Sequence, residues 1–185
     1  QQKNTCIMKN IDWTKLSFSY SKTNTVLTCL YKDGKWGPIE SQTAATLNLT
    51  VFSPSLHYGM SCFEGLKAFR GADDKVRIFR MDENARRMQS SAGFLGIPCP
   101  DEELFKKMCV QAVKENIDFL PPYELRASLY IRPILVTTLP SINLVPQQEG
   151  ILFMVITLPV GSYAGTVLDP IKTVIARDYD RAAPH

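Results

Sequence analysis

Ser128-Leu129-Tyr130-Ile131-Arg132-Pro133-Ile134-Leu135-Val136 is the stretch on which the fold turns. It is a short apolar run with β-branched residues, which predicts a buried strand. Pro133 inside it predicts an edge position or a bulge, because proline cannot donate to a sheet ladder. Ile151 to Leu158 is a second run of the same kind. The residues between, Thr138 to Gly150, read as a loop.

Upstream of this pair the period changes. Pro100 followed by Asp101, Glu102 and Glu103 opens a helix, since the acids complement the positive end of its dipole. Leu104, Met108, Ala112 and Val113 form its apolar stripe. Pro121 and Pro122 lie beyond its end. An earlier helix runs from a cap at Asp82 toward Phe94, where Gly96 and Pro98 stop it. Ala85, Met88 and Ala92 fall on one face of it.

Further upstream the pattern is extended again. Leu66 to Arg70 and Val76 to Arg80 flank Gly71-Ala72-Asp73-Asp74 and predict a hairpin. Thr46 to Phe52 alternates apolar and polar and predicts a half-buried strand. Val26 to Tyr31 predicts another, followed by the turn dipeptide Asp33-Gly34, with extended chain resuming at Trp36. Strands, two helices and strands again give an α+β domain with helices on a mostly antiparallel sheet.

The chain changes character after Pro159-Val160-Gly161, and a new element is expected near Ile171 to Arg177. The expected organisation is an upstream remnant at 1–7, a small domain at 8–158, an interdomain loop at 159–166 and the start of a large domain at 167–185. Gln1 opens the chain, and Met8 is the expected true start.

Composition excludes several classes. The 185 residues are 45% hydrophobic and 21% charged, so the chain can bury a core. A net charge of +3, scattered along the chain, does not favour nucleic acid. The five cysteines lack C-x-x-C spacing, and the two histidines lie far apart, so neither disulfides nor a metal site is implied. No apolar stretch is long enough for a membrane span and no leader pattern opens the chain, so a cytoplasmic location is expected.

The segment from Leu56 through His57-Tyr58-Gly59-Met60-Ser61-Cys62-Phe63-Glu64-Gly65-Leu66-Lys67-Ala68-Phe69-Arg70 to Gly71 closely resembles branched-chain amino acid aminotransferases, which are fold-type IV enzymes of pyridoxal 5'-phosphate (PLP). Four more segments resemble the family in the same order. They are Arg80 to Met88, Ser128 to Pro133, Pro159 to Tyr163, and Arg181-Ala182-Ala183-Pro184. Together they cover nearly the whole chain.

The resemblance implies a fold-type IV small domain and assigns roles to particular residues. Arg87 would hold the cofactor phosphate, a task suited to a planar guanidinium fork. Phe63 and Tyr58 would form an apolar substrate wall, with Tyr58 reaching the site of the partner subunit of a homodimer. Tyr163 would close the wall from the interdomain loop. Tyr130 would bond the α-carboxylate, and Arg132 the side chain of glutamate. Residues two apart on a strand share a face, so Tyr130 and Arg132 can serve one site. Lys67 lies inside the main motif, but its hairpin position predicts a surface residue and not the Schiff-base lysine.

The implied reaction exchanges the amino group of leucine, isoleucine or valine with 2-oxoglutarate. The family's lysine follows the Arg-Ala-Ala-Pro segment, beyond His185, so the chain alone is expected to be inactive. Two other readings share the scaffold: a D-amino acid aminotransferase or aminodeoxychorismate lyase, and a truncated subunit that only binds a partner. The Phe63 to Gly71 run and the Tyr130/Arg132 pair favour the branched-chain type.

Overall fold

The computed structural model describes residues 11–13, 16–17, 19–161 and 172–179. The expected remnant at 1–7, Tyr163 and the Arg181 to Pro184 segment lie outside them.

The chain opens with strands β1 (Val26–Lys32), β2 (Lys35–Trp36) and β3 (Glu40–Gln42), then a single helical turn, α1 (Pro54–His57). β4 (Ser61–Phe63), β5 (Leu66–Arg70) and β6 (Val76–Ile78) follow. Next come helices α2 (Met81–Leu95) and α3 (Glu102–Glu115), and last the long strands β7 (Ser128–Thr137) and β8 (Ile151–Val160). The strands form one sheet in the order β2-β1-β8-β7-β5-β6, with β3 added to β1 and β4 to β7. Every pairing is antiparallel.

Both helices cover one face of this sheet. Leu129, Ile131, Leu135, Phe153 and Val155 point into the core from β7 and β8 and meet Met88, Phe105, Met108 and Ala112. Phe105 stacks on Phe153 at a centroid separation of 6.0 Å. Each of the larger side chains contributes roughly 1.5–3 kcal/mol on burial. Alternate residues of β7 and β8, among them Tyr130, Arg132, Met154 and Ile156, are only half-buried and face the other way.

Asn116, fully buried, ties the start of β1 to the end of α3. Its side-chain oxygen accepts from the backbone N–H groups of Asn24 at 2.8 Å and Thr25 at 3.0 Å. Its amide donates to the carbonyls of Ala112 at 2.8 Å and Thr25 at 3.1 Å.

Four expectations need correction. Pro133 lies in a central strand, neither at an edge nor at a bulge. β4 and β5 pair with β7 in one continuous register, and Glu64 N–H donates to Pro133 O at 2.9 Å. Proline's missing N–H faces the gap between β4 and β5, while the β8 side pairs through Val155. The defect therefore interrupts only the shorter neighbours.

Thr46 to Phe52 forms no strand. β8 holds one side of β1, and β3 and β2 take up the other, which leaves this segment no ladder to join. Instead it crosses the half-buried sheet face, where Leu47 lines a cavity of about 340 Å³ with Ile134, Met154 and Ile156.

Asp82 does not cap α2. It lies in the first turn, and the cap is Arg80, at φ 46° and ψ 49°, without a side-chain bond. Residues 172–179 form neither strand nor helix. Val174 is 92% exposed, with no neighbouring strand among the described residues.

The remaining helix signals agree with the structure. Asp101 accepts from Leu104 N–H at 2.7 Å to cap α3. Gly96 ends α2 at φ 68°, a conformation that favours glycine.

Candidate active site

The site is built around Phe63-Glu64-Gly65, where β4 passes into β5. Side chains alternate along an extended chain. Phe63 and Gly65 therefore face the open side of the sheet, while Glu64 turns inward toward α2.

On the open side three of the expected residues meet. Arg132 Nε and Nη2 donate to the Tyr130 hydroxyl oxygen at 3.1 and 2.9 Å. The same guanidinium lies over the Phe63 ring, 4.2 Å from its centroid. A cation held over an aromatic face is stabilised by the ring quadrupole. Gly65 makes room for this group: a Cβ there would run into the Tyr130 ring. Lys67, expected at the surface, is half-buried directly across from Tyr130.

On the inner side stands Arg87. Its Nε donates to Glu64 Oε1 at 3.0 Å and its Nη2 to Glu64 Oε2, a bidentate pair. Glu64 is only 6% exposed, and its Oε2 also receives Asn84 Nδ2 at 2.8 Å. The hydrogen bond to Glu64 and its charge raise the Arg87 pKa, so the guanidinium stays cationic. The Arg87 side chain is 64% exposed, and Nη1 has no hydrogen bond among the described residues. It borders a cleft of about 540 Å³ with Lys67, Arg80 and Asn84, at the edge of β5 where the chain turns into α2. Glu83 also lines this cleft and pairs with Arg80 at 2.8 Å, so the exposed Arg87 edge, with Lys67 nearby, is what fits a phosphate. Its neighbour Arg86 is spent on Glu83 and Asp82, as a surface arginine.

Tyr58 stays apart from these groups. Its hydroxyl donates to Ile142 O at 2.6 Å, in the loop that leaves the Thr137 end of β7. Arg132 is roughly 17 Å from that end along the strand. Tyr58 is exposed, as are Leu56 near it in the chain and Ile142, which it touches. The role given to Tyr163 lies outside the described residues.

Sequence reasoning missed Glu64, Asn84 and Gly65. Asn84 carried one signal, since residues three apart on a helix are neighbours and Arg87 is three further on. Glu64 carried a weaker one, as an acid between apolar residues on a strand.

A mixed sheet-and-helix domain of this form is the fold of the N-terminal part of fold-type IV PLP enzymes. The chain's sequence is similar to the N-terminal half of branched-chain-amino-acid aminotransferases. It is 44% identical over 177 residues to the branched-chain-amino-acid aminotransferase of Haemophilus influenzae, covering 96% of this chain and 51% of the relative. The Helicobacter pylori protein of the same name is 42% identical over 178 residues, covering 96% and 52%. The chain thus spans about half the length of these relatives. No family model matches the chain.

Solved structures agree. The branched-chain aminotransferase of Thermoproteus uzoniensis, with norvaline, superposes with a TM-score of 0.57 at 28% identity, covering 75% of this chain and 41% of that one. A second branched-chain amino acid aminotransferase, from T.th. and with pyridoxamine 5'-phosphate, gives a TM-score of 0.59 at 28% identity, covering 78% and 42%.

Proposed function

We propose that the protein containing this chain is a PLP-dependent branched-chain amino acid aminotransferase, exchanging amino groups between leucine, isoleucine or valine and 2-oxoglutarate. The observation that carries this is the meeting of Phe63, Tyr130 and Arg132 on one sheet face, with Arg87 at its edge. An apolar ring, a phenol and a cation are what a site needs that accepts aliphatic side chains and a dicarboxylate in turn.

Arg87 would take the cofactor phosphate through its free edge. The cofactor, when bound, supplies the electron sink that lets an amino group pass from one carbon skeleton to another. This chain's residues do the positioning. Phe63 offers an aliphatic side chain a dry wall, and each added methylene contributes only about 1–3 kcal/mol of discrimination. Tyr130 would bond the substrate α-carboxylate. Arg132 would pair with the distal carboxylate of glutamate, which an apolar pocket cannot hold unpaired.

A homodimer is part of the proposal. The exposed apolar surface around Leu56, Tyr58 and Ile142 supports it, since monomers seldom leave such patches bare. Tyr58 would act there, at the site of the second subunit. A cytoplasmic location is supported by Cys29, Cys62, Cys99 and Cys109, which are all free thiols.

The test is a single-turnover assay on the intact gene product loaded with PLP. L-leucine and L-valine should bleach the cofactor's absorbance band, and D-alanine should not. Bleaching by D-alanine alone would move the protein to the D-amino acid group.

A further inference from the structure

We infer that Glu64 is a positioning residue: its buried carboxylate holds Arg87 in the one orientation that presents Nη1 to a phosphate. This rests on the reading of Arg87 as the phosphate ligand.

An arginine on an exposed helix face has many rotamers of similar energy. Packing cannot select one at Arg87, whose side chain is 64% exposed. Glu64 can, because its own side chain is 7% exposed and cannot move. Asn84 Nδ2 holds Oε2 at 2.8 Å and also reaches Gly65 O at 3.3 Å, so the carboxylate is fixed from a second element. Two parallel bonds through Nε and Nη2 define the guanidinium plane as well as its place. The unused edge then borders the cleft that Lys67 also lines, with Arg80 there already paired to Glu83 at 2.8 Å.

The ion pairs of Arg86 offer a contrast. Its partners Asp82 and Glu83 lie on the same helix, and both are 37–40% exposed. Such pairs are local and screened. Glu64 comes from the sheet and is buried, a placement that disfavours a carboxylate unless its charge is matched.

The sign of the effect separates orientation from charge. Removing an acid beside a cation should tighten anion binding if charge alone matters. Removing it should weaken anion binding if orientation dominates, and that is the expectation here.

The experiment titrates the intact apo-protein with PLP and, separately, with pyridoxal, which lacks the phosphate. The readout is the ratio of the two affinities, with a melting curve for each variant. Arg87→Ala should abolish the preference for the phosphorylated form. Glu64→Gln, which keeps the size and one acceptor, should lower it about tenfold. Asn84→Ala should lower it by less.

Should Asn84→Ala fail to fold, Glu64→Gln alone carries the test. A Glu64→Gln preference equal to or above wild type overturns the inference. So does an equal loss of both ligands, which marks a structural fastening. If Arg87→Ala keeps the preference, the phosphate reading itself fails, and the role of Glu64 fails with it.

Discussion

The phenol of Tyr130 lies over the backbone of Gly65, so close that a β-carbon there would overlap the hydroxyl and come within 3.1 Å of Cζ. Gly65 is thus a space requirement of the site, at a backbone conformation other residues could adopt. Gly65→Ala should push the ring off Arg132. The overlap is with the tip of a side chain that can swing aside, so stability is largely spared, while a loss of about 1.4–2.7 kcal/mol of substrate stabilisation would be roughly 10- to 100-fold in activity. Leucine turnover by the intact enzyme should fall by that factor with little change in melting temperature. Unchanged turnover would mean that Tyr130 is not needed where it stands.

Arg132→Met exchanges the cation over Phe63 for an apolar chain of similar reach. Turnover with glutamate or 2-oxoglutarate should fall at least about tenfold more than turnover with leucine, since only the dicarboxylate loses its counter-charge. Paired kcat/KM measurements decide it, and equal losses on the two substrates would remove Arg132 from the role.

Asn116→Ala leaves the N–H groups of Asn24 and Thr25 without their acceptor. Both residues are half-buried, so each unpaired N–H costs toward the lower part of about 1–3 kcal/mol. A loss of about 2 kcal/mol in urea unfolding is expected, with the denaturant slope unchanged. A loss below about 1 kcal/mol would mean that water replaces the side chain.

The thiols give a pH prediction. Burial, aided by the charge of Glu64, pushes the Cys62 pKa up to about 11, and burial with nearby Cys62 pushes Cys99 up to about 12. Both therefore keep their protons at pH 8. Native alkylation of Cys62 should run about 100-fold slower than that of an ordinary thiol, and should quicken as pH rises toward 11. The same shift affects stability. Unfolded thiols ionise first, so stability should fall between about pH 9 and pH 11. Mass spectrometry of iodoacetamide adducts, native against urea-unfolded, checks the first point. Rapid labelling of native Cys62 at pH 8 would contradict it.

The residues make plain why some of this was legible in advance. β7 and β8 were readable because a buried strand needs only a run of apolar residues. The stop of α2 was readable because Gly96 acts locally, whereas α3 ends at Glu115 with Asn116 as its cap, ahead of Pro121 and Pro122. Thr46 to Phe52 has the alternation of a strand, but alternation says nothing about whether a sheet edge is vacant. Pro133 misled for a related reason, since its harmlessness depends on a gap in the strand alongside. Within the site, the spacing of Tyr130 and Arg132 already placed them together. Their chemical roles came from resemblance to a family. Glu64 offered only the weak signal of an acid among apolar residues, because its meaning lies in Arg87, on a helix that only the folded chain brings near.

The alternation at Phe63-Glu64-Gly65 has a consequence for how this site can change. Substitution can alter one side of the sheet and leave the other untouched, so the aromatic wall and the arginine clamp can vary separately. A change of length cannot. One residue inserted or deleted ahead of Phe63 would send the carboxylate among the aromatics and the ring beneath the guanidinium, ruining both sides in one event.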